Sequence, residues 1–283
     1  MRKGYLIMTD AMNLKYTVLM SLYKNESPAY FEAAFESMIH QTVMPEQIVI
    51  VEDGPLPEEL LSLVQKYESN FPELLTVVVN KTNLGLGLAL NRGLEFCRND
   101  LVARMDTDDI SLPNRCEKQI VEFLTHPELS IVGSNVDEFV ESPHNIISTR
   151  RVPSTYTEIY EFAKRRSAFN HPAVMYKKSA VFSVGGYSDL RRNQDVDLFG
   201  RMLFAGLKAE NIDESLLLFR SGDSLAKRRK SWENTKSYIE VIRRFWKMGY
   251  SRFSDFVLVA IAQTAMFLCP VHLQSYIYKK LLR

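Results

Sequence analysis

Short continuous apolar runs and longer segments with a helical repeat succeed one another along the first part of the chain. YTVLMSLY (16–23), QIVIVEDG (47–54), LLTVVVN (74–80) and LVARM (101–105) have the composition of strands buried on both faces. Between them lie three helical segments. SPAYFEAAFESMIHQT (27–42) places Tyr30, Phe31, Ala34, Phe35, Met38 and Ile39 on one face. PEELLSLVQKYESNF (57–71) opens with a proline suited to a helix start, and LGLALNRGLEFC (86–97) follows. Strand alternating with helix predicts an α/β fold: a mostly parallel central sheet with covering helices.

After residue 113 the pattern changes. PNRCEKQIVEFLTHP predicts a helix, and LSIVGSNVDEFV one or two strands. AVMYKKSAVFSVGGY predicts a strand entering a short helix and a glycine turn. QDVDLFGRMLFAG reads as a helix with acids in its first turn, where the macrodipole favours them. SYIEVIRRFWKMG reads as a longer amphipathic helix. The stretch 256–278 contains no Asp, Glu, Lys or Arg; Pro270 breaks it, and Lys279, Lys280 and Arg283 follow.

In an open sheet of this kind ligands gather outside the carboxyl ends of the strands. Two acidic clusters are expected there: Glu52-Asp53 after the second strand and Asp106-Thr107-Asp108-Asp109 after the fourth. They should share one cleft. No GxGxxG or GxxxxGK[ST] follows the first strand, which disfavours dinucleotide-dependent dehydrogenases and phosphate-loop enzymes.

Composition adds one asymmetry. The 283 residues, 46% hydrophobic and 24% charged, suit one large domain or two smaller ones. From Arg220 onward there are 13 Lys/Arg and 4 Asp/Glu, a net of +9, against −8 for the rest. A basic end piece on an acidic body suggests an anionic partner such as a membrane surface. Cys97, Cys116 and Cys269 lack metal-ligand spacing and read as reduced, packed thiols. The N-terminus has no apolar stretch long enough for a signal peptide, and Met8 or Met12 could be the start.

Carboxylates crowded into DTDD repel one another unless a positive partner is present. Asp106 and Asp108, leaving a strand end at i and i+2, suit Mg²⁺ or Mn²⁺ with a phosphate oxygen completing the shell. Taken alone, the four residues are equally compatible with a solvated acidic turn before the helix near Pro113. The strand-end position and the second acidic cluster favour the cation.

VLMSLY, HQTVMPEQIVIVEDG, NLGLGLALNRGLE, VARMDTDDISLP and QDVDLFGRML resemble, in order, the motif series of family 2 glycosyltransferases. The likeness is closest to the bacterial branch that builds amylovoran, O-antigen, capsule and exopolysaccharide, and covers about residues 16–220. It implies the GT-A fold, with residues 1–15 as an extension, a nucleotide half over 16–113, an acceptor half over 114–220 and a basic helical region over 221–283.

The resemblance also implies roles. Asp53 would bond the uracil ring, Ser21 and Tyr23 would line the base pocket, and Asn83 would pass near the donor. Asp108 would coordinate Mn²⁺ or Mg²⁺, with Asp106 facing the ribose and the metal shell. Asp195 matches the catalytic aspartate of the family's Glu-Asp pair, and Gln194 stands where that pair has glutamate. By spacing alone Asp195 and Asp197 are equivalent. His171 falls on the acceptor side, although a lone histidine is more often structural. Gly185-Gly186-Tyr187 is expected to be a turn needing positive φ. Arg220 and the KRRK of 227–230 could meet diphosphate or be a solvated basic loop.

The implied reaction is single displacement with inversion. A hexose, with UDP-galactose or UDP-glucose favoured as donor, passes to a lipid-linked sugar, an N-acetylhexosamine on undecaprenyl diphosphate. Rival readings are a metal-dependent nucleotidyltransferase and a non-catalytic nucleotide-binding protein. The first usually needs a basic glycine-rich loop, which SLYKNESP is not; the second is disfavoured by Asp106, Asp108 and Asp195 together. Nucleic-acid binding is not expected, because the basic end lacks interleaved aromatics. The stretch 256–278 has three readings: a spanning helix, a packed core helix, or an interfacial segment. The last is preferred and predicts a cytoplasmic protein attached peripherally to the inner face of the cytoplasmic membrane.

Overall fold

The computed structural model describes residues 14–222 and 231–269. The candidate start sites, the KRRK cluster and the chain from Pro270 onward lie outside the described residues.

The predicted alternation is present. In chain order it runs β1 (Thr17–Leu22), α1 (Pro28–Ile39), β2 (Gln47–Asp53), α2 (Glu58–Asn70), β3 (Leu75–Asn80), α3 (Leu86–Phe96) and β4 (Leu101–Met105). The second half has β5 (Ile110–Ser111), α4 (Arg115–Thr125), β6 (Leu129–Phe139), β7 (Ile146–Arg150) and α5 (Tyr156–Ala163). A 3₁₀ turn at His171–Ala173 leads to β8 (Met175–Lys177), α6 (Lys178–Ser183), α7 (Gln194–Phe204), β9 (Lys208–Arg220), α8 (Trp232–Lys247) and α9 (Phe253–Leu268).

One nine-stranded sheet carries these elements in the order β3-β2-β1-β4-β8-β6-β9-β5, with β7 paired to β6. Its first half is wholly parallel: β1 pairs β2 and β4, and β2 pairs β3. Beyond β4 the sheet is mixed. β8 runs antiparallel to β4 and β6, while β6 and β9 run parallel. The stretch 129–139 is one strand with register irregularities, which resolves the expected alternatives.

Side chains alternate across the sheet, so each inner strand feeds two layers. Leu19, Val49 and Val51 pack with α3, α7 and α8 through Leu90, Leu94, Leu198, Met202, Val241 and Phe245. Val18, Met20, Ile48 and Ile50 pack on the other face with α1, α2 and α4 through Phe31, Phe35, Leu60, Ile120 and Phe123. Burial on both faces is why these strands are continuous apolar runs. Of the face expected for α1, Phe31, Ala34, Phe35 and Met38 are buried, whereas Tyr30 is 40% exposed at the helix start.

The hydrophobic pattern misses β7, α5 and β9. The first half of β9 is polar, yet Asn211 within it is buried. Its Nδ2 donates to the Pro153 and Ala168 carbonyls at 2.6 and 2.9 Å, which ties β9 to two distant segments, while its Oδ1 has no partner among the described residues. α5 has a hydrogen-bonded capping box, Thr155 with Glu158, that the sequence displays and hydrophobic periodicity ignores.

α8 is joined to the body by close packing. A Cβ on Gly200 of α7 would lie 2.0 Å from the Phe245 ring. α9 buries little beyond Asp255 and Val259, and leaves Phe253, Leu258, Ile261 and Leu268 exposed. Among the described residues no helix is long and apolar enough to cross a membrane.

Candidate active site

The parallel half brings the ends of β1, β2 and β4 together. At β2, Asp53 is buried and its carboxylate shapes the loop after β3. Oδ1 accepts from the Leu84 N–H at 2.8 Å and from Asn80 Nδ2 at 3.2 Å, and Oδ2 accepts from the Gly85 N–H at 2.9 Å. Asn83 is exposed, and its Nδ2 donates to the Asp53 carbonyl at 3.1 Å. Gly54, at φ +90°, permits this approach: a Cβ there would lie 2.8 Å from the Asn83 nitrogen. Ser21 and Tyr23, both partly buried, sit at the neighbouring end of β1, where Ser21 is in register with Val51.

The DTDD loop leaves β4. Ligand oxygens of Asp106, Asp108 and Asp109 lie within 4.8 Å of one another, an all-oxygen set that suits a hard divalent cation. Positive charge meets this cluster from beneath. Arg104 is 1% exposed, and its Nη2 lies 2.5 Å from Asp106 Oδ1. Asp109 is buried and accepts from the Arg220 N–H at 2.7 Å through Oδ1, while Oδ2 has no partner among the described residues. Burial, then the charges of Asp108 and Asp106, push the Asp109 carboxyl well above the ordinary carboxylate range. The loop is also tied to the segment after β1, since Thr107 Oγ1 donates to Glu26 Oε2 at 2.7 Å.

The second half of the chain supplies the start of α7. Asn193 precedes it in the left-handed region at φ 57°, and Gln194, Asp195 and Asp197 form its first turn. Asp197 is buried and committed. Its Oδ2 accepts from Arg201 Nε at 2.8 Å, and Arg244 Nη1 of α8 lies 3.6 Å from Oδ1. Asp195 is in a different position: the charges of Arg104 and Asp106 both reach it. Burial raises its carboxyl above the ordinary value, against its own and the Val196 backbone N–H groups and Arg104. Gln194 is buried, and its Oε1 has no partner among the described residues.

His171 is buried, with Nε2 2.9 Å from the Tyr187 hydroxyl, which in turn lies 3.4 Å from the Tyr176 hydroxyl. Burial and the charge of Arg104 hold its imidazole well below its ordinary value, so it is neutral. Gly185 and Gly186 have positive φ as expected, and the turn is clamped by Asn91 of α3, whose Oδ1 accepts from the Tyr187 N–H at 2.8 Å.

Sequence reasoning gave Arg104 no role, named Asp109 only as one of the acidic cluster, and offered Arg220 as a diphosphate contact rather than a residue bonded to the DTDD loop. The signal for the first was an arginine inside an otherwise apolar strand. A second group, Glu122, His126 and Glu210, also places its ligand atoms within 4.8 Å. It lies at the opposite end of β9 from Arg220.

A mixed α/β sheet with an acidic loop at the end of β4 and a partly buried aspartate at the start of α7 defines a GT-A glycosyltransferase. The chain belongs to glycosyl transferase family 2, whose model matches residues 17–191. Among its relatives, an amylovoran biosynthesis glycosyltransferase, AmsE, of Erwinia amylovora is 36% identical over 94% of this chain and 98% of that one. A UDP-Gal:alpha-D-GlcNAc-diphosphoundecaprenol beta-1,3-galactosyltransferase of Escherichia coli is 35% identical over 95% of this chain and 97% of that one. The fold is shared with the mannosyltransferase PcManGT of Pyrobaculum calidifontis, solved with GDP-Man and Mn²⁺. Its TM-score is 0.64 at 15% identity, covering 96% of this chain and 78% of that one. S. aureus TarS 1–349, solved with UDP, gives 0.57 at 16% identity, covering 90% and 81%.

Proposed function

We propose that the protein transfers a hexose from a UDP-sugar, UDP-galactose or UDP-glucose, to an N-acetylhexosamine on undecaprenyl diphosphate, with inversion at the anomeric carbon. The observation that carries this reading is the clustering of Asp106 and Asp108 at the end of β4, where the buried Arg104 pairs with Asp106 and its charge also reaches Asp195. The names of the relatives supply the donor and acceptor class.

In this reading Asp53 binds the uracil edge, Ser21 and Tyr23 line the base pocket, and Asn83 borders the donor. Asp53 has each oxygen engaged by the 80–85 loop. A carboxylate oxygen carries two lone pairs, so acceptor capacity remains for a base N–H. Asp106 and Asp108 hold Mn²⁺ or Mg²⁺. That ion, when bound, neutralises charge developing on the departing diphosphate. Asp195 takes the proton from the acceptor hydroxyl, a contribution of roughly 10²–10⁴-fold. It is preferred to Asp197 because the latter's carboxylate is bonded to Arg201 and faced by Arg244. His171, buried and bonded to the Tyr187 hydroxyl, belongs to the acceptor side.

The exposed apolar face of α9 and the basic end of the chain support peripheral attachment to the inner face of the cytoplasmic membrane, where a lipid-linked acceptor is reached. The test is a donor screen against a synthetic lipid-diphosphate N-acetylhexosamine, with product stereochemistry read by NMR. A β-linked hexose from an α-linked UDP donor is expected. A retained configuration, or turnover of nucleoside triphosphates alone, would contradict the proposal.

A further inference from the structure

Two arginines are buried side by side under the DTDD loop, and they are satisfied differently. Arg115 engages every side-chain nitrogen. Nε donates to Gln119 Oε1 at 3.2 Å, Nη2 to the Arg104 and Val174 carbonyls at 2.7 and 3.1 Å, and Nη1 to Met105 Sδ at 3.5 Å. Its bonds join α4 to the backbone of β4 and the residue before β8, which is a packing role. Arg104 bonds through Nη2 alone, to Asp106 Oδ1. Its Nε and Nη1 are buried and have no hydrogen-bond partner among the described residues.

Unsatisfied buried donors are costly, and an arginine kept only for packing would be paired as Arg115 is. Arg104 also lies where the two halves of the site meet. Its charge is shared with Asp106 and Asp109 on the loop after its own strand, with Tyr187 and His171 in the acceptor half, and with Asp195 at the start of α7. Asp106 keeps about a third of its side chain exposed while the arginine that grips it is enclosed. The guanidinium therefore holds the carboxylate from beneath, on the side away from the cleft.

We propose that Arg104 is a positioning residue for the cation–diphosphate site: by holding Oδ1 of Asp106 it fixes that carboxylate so that its free side faces the cleft beside Asp108. This rests on the reading of Asp106 and Asp108 as a cation-binding pair. The geometry asks for more than positive charge. A lysine would keep the charge without the planar fork that fixes a carboxylate's orientation.

The test is a double-mutant cycle on the full-length chain, reading UDP binding by calorimetry in Mn²⁺ and in EDTA. Arg104→Met is expected to weaken Mn²⁺-dependent UDP binding about 10- to 100-fold, with UDP binding in EDTA unchanged. In an Asp106→Ala background, which removes the oxygen that Arg104 holds, the same substitution should change affinity less than about twofold, because both act through one carboxylate. Arg104→Lys should fall between wild type and Arg104→Met. Melting curves establish that each variant is folded, and Arg104→Lys carries the cycle if Arg104→Met is not. Multiplying effects of the two substitutions, or a folded Arg104→Met with wild-type Mn²⁺-dependent binding, would overturn the inference. Wild-type UDP binding that is the same in Mn²⁺ and EDTA would overturn the cation reading itself, and this inference with it.

Discussion

The backbone N–H of Arg220, the last residue of β9, donates to Oδ1 of the buried Asp109 at 2.7 Å. The Arg220 Nε also donates to the Asp108 carbonyl at 2.9 Å, and its guanidinium is stacked between Tyr30 at 3.8 Å and Phe139 at 4.5 Å. A strand far along the chain thus pins the acidic loop from outside while Arg104 holds it from beneath. Arg220→Ala keeps the backbone bond and loses the other contacts. The Mn²⁺ concentration for half-maximal activity should rise about tenfold, the size expected for one lost hydrogen bond from a charged donor. Unchanged metal dependence would mean that the loop holds its shape without Arg220.

The elevated carboxyl of Asp195 has a consequence in pH. Burial raises it most, and Asp106 adds to that, against backbone N–H groups and Arg104. On the proposed role of Asp195 as general base, which works ionised, kcat should fall with decreasing pH through a pKa above the ordinary carboxylate range. A pH–kcat profile measured at saturating donor, acceptor and Mn²⁺ checks this. An acid limb at the position of an exposed aspartate would contradict it.

Gly200 tests whether α8 belongs to the body. Alanine is favoured over glycine inside a helix by about 1 kcal/mol, but here its Cβ would lie 2.0 Å from the Phe245 ring. Overpacking of this kind costs about 1–3 kcal/mol. Gly200→Ala should therefore lower the melting temperature by about 2–4 °C for each kcal/mol of net loss. A raised melting temperature would show that α8 packs loosely.

The first half of the fold was legible because each inner strand is apolar on both faces and each covering helix has a one-sided stripe, as Val18 with Leu19 and Phe31 with Phe35 show. β9 was not, because Asn211 is buried with its amide bonded to two carbonyls contributed by distant segments. The acids of the candidate site could be singled out from sequence, unlike β9. Carboxylates at strand ends are visible in one dimension, whereas the cations that balance them are identified only by proximity. Arg104 read only as part of a strand, and Arg220 as a diphosphate contact or a solvated loop residue, until the fold places both against the DTDD loop. Asp195 and Asp197 were equivalent by spacing. Their environments separate them, since Arg201 and Arg244 face only the second.

The exposed face of α9 predicts membrane attachment. Leu258 and Ile261 are 55% and 64% exposed, so charging them should leave the melting temperature nearly unchanged. Leu258→Glu with Ile261→Glu should release the protein from anionic vesicles in a sedimentation assay, and high salt should weaken wild-type binding by screening. Vesicle binding unaffected by both would remove α9 from the attachment surface.

The most direct measurement is the turnover number of Asp195→Asn beside its affinity for UDP in Mn²⁺. If Asp195 is the base acting on the acceptor hydroxyl, UDP affinity should stay within about twofold of wild type while kcat falls by about 10²-fold or more. Retained kcat with weakened UDP binding would contradict the account and move Asp195 to the donor side.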